Sequence, residues 1–222
     1  MTPVRITAAL IAALSLSACG GLDTATRNAP LEQQSVATRG STPHIAPVAS
    51  VQVVDFRVNV PQSLVVSEAN LYYPPGDIVW RGDAPGNRHA QVGAIFDSAL
   101  RSAAPAVQGA QPVVAEISVL RFHALTEKAQ YTIGGIHSIK FTLTLKDPAT
   151  RAVIAPPRLI EADLRAYGGS KALEAERRGL GQKARITRHL TNVIATELAR
   201  PGSSSTKVTE FVAGLESGPL KL

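Results

Sequence analysis

Strict alternation of apolar and polar side chains over residues 138–146 is the feature that most restricts how this chain folds. Ile139, Phe141, Leu143 and Leu145 each lie between polar Ser, Lys or Thr residues. Successive side chains of a β-strand point to opposite faces, so the pattern predicts a strand with one buried and one solvated face. Such a strand requires partner strands and a second layer that covers its apolar face.

Three further segments show the same period and supply the expected partner strands. They span residues 54–60, 112–125 and 160–166. In the first, the alternation places Val54 on the same apolar face as Phe56. The middle segment changes phase at Leu120, which predicts a β-bulge or a strand covered on both faces. The sequence Asp-Pro-Ala-Thr at 147–150 predicts a turn.

Two segments show the period of an amphipathic helix instead. Between residues 88 and 104, apolar residues recur every three or four positions. Asn87 is suited to cap this helix and Pro105 to end it. A second apolar stripe spans residues 186–198 and ends before Pro201. Together these segments predict an α+β fold: an antiparallel sheet of about four strands with two helices packed on one face.

The N-terminus differs in character from the rest of the chain. Arg5 precedes an apolar run over residues 6–16, which is too short for a transmembrane helix of roughly 20 residues and fits a secretory signal. The run leads into Leu16-Ser17-Ala18-Cys19, and Cys19 is the only cysteine of the chain. An internal disulfide is therefore excluded.

This tetrapeptide resembles the lipobox of Gram-negative bacterial lipoproteins, in which the signal is removed before the cysteine and the cysteine is acylated. The resemblance implies a lipid anchor, such as palmitate, on Cys19. It also implies the periplasmic face of the outer membrane, because Gly20 rather than Asp follows. The alternative is an ordinary signal peptide that ends in an unmodified cysteine. The expected division is a signal peptide (1–18), a lipidated cysteine with a flexible linker (19–46), one domain (47–201) and a C-terminal tail (202–222).

Residues 70–92 hold the only Trp and two of the four Tyr. Their Pro residues exclude a regular central strand, and Asp-Ala-Pro-Gly at 83–86 predicts a tight turn before the first helix. One interpretation is structural: Trp80 fills the edge of the sheet while the loop reverses the chain. The other is a surface for a ligand or partner beside the helix N-terminus, which attracts anions. Its candidate residues are Tyr72, Tyr73, Trp80, Arg81, Asp83, Arg88 and His89.

The main basic cluster lies between residues 171 and 188, with six cations against two carboxylates. Its candidate residues are Arg177, Arg178, Lys183, Arg185 and Arg188. One interpretation is a solvated start of the second helix, and the other is contact with anionic head groups. The whole chain has a formal net charge of +6. A secreted compartment argues against nucleic acid as the partner and favours lipid phosphates, lipopolysaccharide or an acidic protein.

Motifs for catalysis or metal binding are mostly absent from the sequence, and the S-x-x-K match from Ser204 to Lys207 lies in a Ser-rich segment without a supporting motif. The sequence contains no H-E-x-x-H or G-x-S-x-G pattern, and no pair among its five His has zinc-ligand spacing. His123 and His137 are predicted to form a surface pair across a hairpin. We therefore expect no enzymatic activity, no metal and no cofactor.

The order strand, helix, meander, helix behind a lipobox is similar to that of auxiliary lipoproteins in lipid-transport and lipopolysaccharide-assembly systems. This similarity implies a non-catalytic accessory or assembly subunit in envelope biogenesis or lipid transport, with an envelope protein or anionic lipid as partner. Alternatives are a peptidoglycan- or glycan-binding module that stacks sugars on Trp80, Tyr72 and Tyr73, and an envelope hydrolase. The apolar stripe at 208–215 fits a short helix docked on the domain or a peptide for a partner groove.

Overall fold

The computed structural model describes residues 50–201. The strands are β1 (Val51–Asn59), β2 (Ile78–Val79), β3 (Gln111–His123), β4 (Gly135–Lys146), β5 (Val153–Glu161) and β6 (Leu164–Ala166). The helices are α1 (Arg88–Ala103), α2 (Glu127–Gln130), α3 (Ser170–Arg177) and α4 (Gln182–Ala199), and a 3-10 turn at Ala104–Ala106 follows α1. The predicted tail and N-terminal segments lie outside the described residues.

All six strands belong to one mixed sheet, whose main order is β1-β3-β4-β5. Neighbours from β3 to β5 are antiparallel, whereas β1 and β2 both pair with β3 in parallel. A fold with helices and a mostly antiparallel sheet is confirmed, but the prediction of a purely antiparallel sheet of four strands with two helices is wrong. Parallel neighbours require a crossover connection, and α1 lies in the connection between β1 and β3.

Both outer positions of the sheet are divided between two strands. β1 and β2 occupy the same edge of β3, while β5 and β6 occupy the same edge of β4. The predicted strand over 160–166 is therefore interrupted. At the break, the Ala162 amide donates to the Ile139 carbonyl at 2.8 Å, and the Asp163 carboxylate accepts from the Ile139 amide at 3.1 Å.

Two irregularities change which residues face the core. The β3 register shifts between Val119 and Arg121, which confirms the bulge predicted at Leu120. The β1 register shifts between Val53 and Asp55, so that Val54 has no partner in β3. Val54 is consequently 53% exposed, and its predicted place on the apolar face is wrong.

The core forms between the sheet and the helices α1 and α4. Both predicted helical stripes are buried, and the Asn87 side chain caps α1 by accepting from the Ala90 amide at 3.0 Å. Phe96 of α1 meets Phe141 of β4 edge to face, with ring centroids 5.3 Å apart. The helices thus cover the apolar face that the strand alternation requires.

The long axis of the sheet defines two ends. At the proximal end, Val51 pairs with Gln111 and Lys146 pairs with Val153, so the described chain starts there. The distal end contains the last residues of β3, the first residues of β4, and β6. Helix α4 starts near this end, where the Gln182 side chain donates to the Leu125 carbonyl at 3.3 Å. The segments with the most exposed functional candidates meet at the distal end.

Candidate functional site

Trp80 lies immediately after β2 and is fully buried. Its ring contacts Phe122 edge to face at a centroid distance of 5.7 Å, and its indole N–H donates to the Asp83 carboxylate at 2.9 Å. The loop folds over the ring so closely that a Cβ at Gly82 would lie 2.3 Å from it. Trp80 therefore fills the sheet edge, as the structural interpretation states, and its assignment to an exposed surface is wrong.

Arg88, the first residue of α1, is also buried and holds the loop against the helix. Its Nε donates to Glu68 Oε1 at 2.6 Å, and its Nη1 donates to the carbonyls of Asp83 and Ala84 and to Gln91 Oε1. The hydrogen bond from Arg88 lowers the pKa of Glu68, although burial opposes the shift. A buried Arg with these partners cannot contact a ligand, so its predicted surface role is wrong as well.

Arg81 remains partly accessible but is fixed between two carboxylates. Its Nη1 pairs with the Glu68 carboxylate at 3.3 Å and also donates to the Glu68 carbonyl at 2.8 Å, and its Nε forms an ion pair with Glu127. The hydrogen bond to Glu127 raises the pKa of Arg81. Arg81 therefore links the loop to Glu127, the first residue of α2.

The remaining candidates of the loop are spread apart. A ring nitrogen of His89 lies 3.1 Å from the Leu64 carbonyl, within hydrogen-bond distance. The Tyr72 ring lies beneath the Lys128 ammonium, 4.7 Å from the ring centroid. Tyr73 is 87% exposed. The structure thus does not assemble the predicted aromatic platform.

Asp83 and Lys183 join the two regions that the sequence singled out. The Lys183 ammonium donates to Asp83 Oδ1 at 2.7 Å, which links the loop to the first turn of α4. Several effects act on the Asp83 pKa: burial raises it, and the hydrogen bonds from Lys183 and Trp80 outweigh burial and lower it. The predicted loop and the predicted basic cluster are consequently two sides of one feature.

An open cleft of about 350 Å³ lies at this junction. Gly181 caps α4 without a side chain, and the first turn of α4 contains no acidic residue, so the positive helix terminus borders the cleft. The lining combines cations, carboxylates and amides. Its principal side chains are Arg81, Glu127, Gln130, Tyr131, Glu176 and Lys183.

The two cleft carboxylates are held in hydrogen bonds. Partial burial raises the pKa of Glu127, but interactions led by the Arg81 hydrogen bond outweigh it and lower the pKa overall. Glu176 accepts from the Gln130 amide and from the Tyr131 hydroxyl, the latter at 3.2 Å. A general acid needs a proton near neutral pH, which an Arg-paired carboxylate of lowered pKa does not hold. The arrangement suits binding through hydrogen bonds and charge.

The basic cluster divides between two helices. Arg177 ends α3 and Arg178 follows it; both are exposed and pair with Glu174, at 2.6 and 3.3 Å. On α4, the Arg185 guanidinium stacks 3.7 Å above the Tyr167 ring, and Arg188 is exposed. These residues therefore surround the distal end without forming one compact patch.

Several cleft residues had no place in the sequence predictions. The polar residues between β3 and β4 show no clear period, yet α2 lies among them and contains Glu127 and Gln130. The sequence signal for α2 is Thr126 followed by Glu127, because Thr is a favoured N-cap residue. In the structure the Thr126 hydroxyl caps α2 by accepting from the Ala129 amide at 3.3 Å. Helix α3 was missed because only two small residues, Ala172 and Ala175, form its buried stripe.

The predicted surface pair of His123 and His137 does not form. His123 pairs with Ser138, which places His137 on the opposite face of β4, where it is fully buried. Burial, together with the nearby charges of Arg185 and His189, lowers the pKa of His137 to about 3. Within residues 50–201 no group of three or more His, Cys, Asp or Glu is arranged to hold a metal. None of the helices in that range is long and apolar enough to cross a membrane.

The fold and cleft define a mixed α/β domain with an open polar cleft. A family model described as "Family of unknown function (DUF6778)" matches residues 51–214, and this chain belongs to that family. A search of curated proteins gave no match. Among solved structures, the crystal structure of protein XCC0632 from Xanthomonas campestris, of family DUF330, superposes with a TM-score of 0.41. It is 14% identical and the alignment covers 71% of this chain and 88% of that chain.

Proposed function

We propose that this protein is a non-catalytic lipoprotein, anchored through Cys19 at the periplasmic face of the outer membrane. Its role would be that of an accessory or assembly subunit in envelope biogenesis or lipid transport. The observation that carries the proposal is the sequence Leu16-Ser17-Ala18-Cys19, which contains the only cysteine and follows a short apolar run. Two or three acyl chains on one residue provide stable anchorage, because each buried methylene contributes about 0.8 kcal/mol.

The cleft supports a binding role for the domain. Its amides and helix terminus can recognise a polar or anionic group, and its cations, which now pair with carboxylates, can exchange those partners for an anionic one. We assign recognition of an envelope partner to Arg81, Lys183 and the α4 N-terminus. The buried residues Trp80 and Arg88 hold the loop beside this surface in place through their hydrogen bonds to Asp83.

Metabolic labelling with palmitate in a Gram-negative host tests the anchor. Cys19→Ser should abolish incorporation of label, because serine lacks the thiol that accepts the lipid. Ser17→Ala is the matched control, since it keeps a small residue at the neighbouring position and should remain labelled. Undiminished labelling of the Cys19→Ser protein would refute the proposal.

A glycan-binding module is the second candidate, and one observation favours it. Tyr131 is 45% exposed beside a cleft whose amides and carboxylates resemble the hydrogen-bonding groups that sugars require. Retention on isolated sacculi should then fall in Tyr131→Ala and persist in Tyr73→Ala, which removes an exposed tyrosine outside the cleft lining. Equal retention of both variants would exclude the cleft as a glycan site.

A further inference from the structure

The distal end exposes an unusual number of large apolar side chains. Six of them are 37% to 68% exposed, with Ile133 at 68% and Ile136 at 60% the most exposed. We call this set the distal patch. It consists of Tyr131, Ile133, Ile136, Tyr167, Leu173 and Leu180. Clustered exposed apolar residues indicate a contact surface, whereas single ones are ordinary.

Close backbone packing brings together the segments that carry Ile133, Ile136 and Tyr167. The Gly169 amide donates to the Gln130 carbonyl at 2.9 Å, and a Cβ at Gly168 would lie 2.5 Å from the Ile133 backbone. The loop after α2 is therefore pressed against the loop that leads into α3. Ile136 pairs with Arg165 in the adjoining strands, which places it beside the same junction.

Cations dominate the margin of the distal patch. Between residues 165 and 188 seven Lys and Arg residues stand against two Glu. Glu174 pairs with Arg177 and Arg178, and Glu176 hydrogen-bonds Tyr131, so both carboxylates are engaged locally. Lys171 lies in the first turn of α3 and is exposed. The margin thus carries a net positive charge around an apolar centre.

The reach of the chain allows this surface to meet the anchoring membrane. Strand β3 has 13 residues, so the patch lies about 40 Å from the proximal end, at about 3.3 Å per residue. About 30 residues separate Cys19 from Val51. At the limit of covalent geometry, that many residues span roughly 100 Å. This maximum reach exceeds the distance from the proximal end to the patch.

We propose that the distal patch binds the surface of an anionic phospholipid bilayer. Ile133, Ile136 and Leu173 would enter the boundary between head groups and acyl chains, while Lys171 and Arg178 contact the lipid phosphates. Tyrosines suit this boundary because one end of the ring is apolar and the other hydrogen-bonds. The biological setting rests on the proposed lipid anchor, but the surface itself does not require it.

Vesicle flotation tests the proposal with the chain from residue 20 to 222. This chain lacks the acylation site and keeps every described strand and helix. It should float with vesicles of phosphatidylcholine and phosphatidylglycerol in equal amounts, and not with phosphatidylcholine alone. Lys171→Gln/Arg178→Gln should weaken binding about 25-fold at low salt, since each cation near a charged surface contributes about 1 kcal/mol. Ile133→Ser/Ile136→Ser should weaken it roughly tenfold.

Matched variants lie outside the patch. Val54→Ser/Val153→Ser removes two exposed aliphatic side chains in the proximal half of the sheet, and Arg57→Gln/Arg101→Gln removes two exposed cations. Both should bind vesicles like the unsubstituted chain. Because Ile133 and Ile136 are exposed, their replacement should leave the thermal midpoint and the circular dichroism spectrum unchanged.

Each alternative occupant has a distinct result that overturns the proposal. If a second copy covers the patch, Ile133→Ser/Ile136→Ser converts an oligomer to a monomer in light scattering. If residues 202–222 cover it, the same variant lowers the thermal midpoint. No flotation, flotation indifferent to lipid charge, or equal loss in the matched variants also overturns it. Failure here leaves the palmitate result standing, because the tested chain lacks Cys19.

Discussion

The Trp80 loop, residues 70–92, and the distal patch place their apolar and charged residues in opposite ways. The loop has the only Trp and two Arg, yet Trp80 and Arg88 are buried and hydrogen-bonded within the domain. The distal patch has ordinary residues, and Ile133 and Ile136 are largely exposed. A segment dense in aromatic and cationic residues needs many hydrogen-bond partners and much apolar contact. In this fold the domain itself supplies both. Four predictions test how far this contrast holds.

The largest expected effect is at Trp80. Trp80→Ala should lower the free energy of unfolding by about 3 to 5 kcal/mol, because it leaves a cavity beside Phe122 and a carboxylate without its indole donor. Tyr73→Ala, at an 87% exposed position, should change it by less than about 0.5 kcal/mol. Chemical denaturation measures both. Similar losses of unfolding free energy in the two variants would show that Trp80 is no more buried than Tyr73.

A second comparison concerns two arginines. Arg88→Gln should cost about 2 to 3 kcal/mol, since Glu68 loses its closest cation and two loop carbonyls lose a donor. Arg178→Gln, at an exposed position just after α3, should cost less than about 0.5 kcal/mol. If Arg178→Gln lowers the denaturation midpoint more than Arg88→Gln does, the distal end stabilises the fold more than the loop does, which contradicts the comparison.

The buried His137 predicts a pH dependence at the distal end. Its pKa of about 3 in the folded protein lies below its ordinary value of 6.5, so the unfolded chain takes up a proton that the folded chain does not. The associated stability is present above pH 6.5 and is lost as the pH falls toward 3. The slope approaches about 1.4 kcal/mol per pH unit below pH 6. Neither ring nitrogen has a hydrogen-bond partner among the described residues, which leaves burial uncompensated.

His137→Leu should flatten this slope while it preserves an apolar core position. Denaturation between pH 7 and pH 5 measures the difference. His123 has a lowered pKa of the same sign through burial, so only the difference between wild type and variant isolates His137. Identical slopes would show that His137 is accessible and protonated in the folded protein.

A smaller effect is expected where the Trp80 loop contacts the first turn of α4. The ion pair between Lys183 and Asp83 is exposed on the Lys side, so Lys183→Gln should cost less than about 1 kcal/mol. Raised salt should remove most of that difference. A loss of several kcal/mol in urea denaturation would mean that the cleft is a structural joint rather than a binding surface.

The sequence was informative where local pattern and packing agree. Helix α1, with its cap at Asn87, and the Leu120 bulge follow from period and phase, because each depends on neighbouring residues. The parallel pairing of β1 was derivable from the helix between β1 and β3, yet the antiparallel meander that follows concealed it. The break at Asp163 depends on a contact 24 residues away, which no local pattern contains.

The candidate site was less predictable for the same reason. Asp83 and Lys183 are 100 residues apart, so only the tertiary fold shows that the loop and the basic cluster share one cleft. Burial of Trp80 depends on Phe122 and on the close approach of Gly82. Composition identified the residues with unusual chemistry, but it did not show which of them are buried and which are exposed.

Trp80 fluorescence tests the central contrast most directly, because Trp80 is the only tryptophan in the chain. A fully buried indole predicts blue-shifted emission, weak quenching by acrylamide, and no change when anionic vesicles are added. The same sample should float with those vesicles through the distal patch. Red-shifted emission that acrylamide quenches strongly, or that vesicles shift, would place Trp80 on the binding surface and contradict the account.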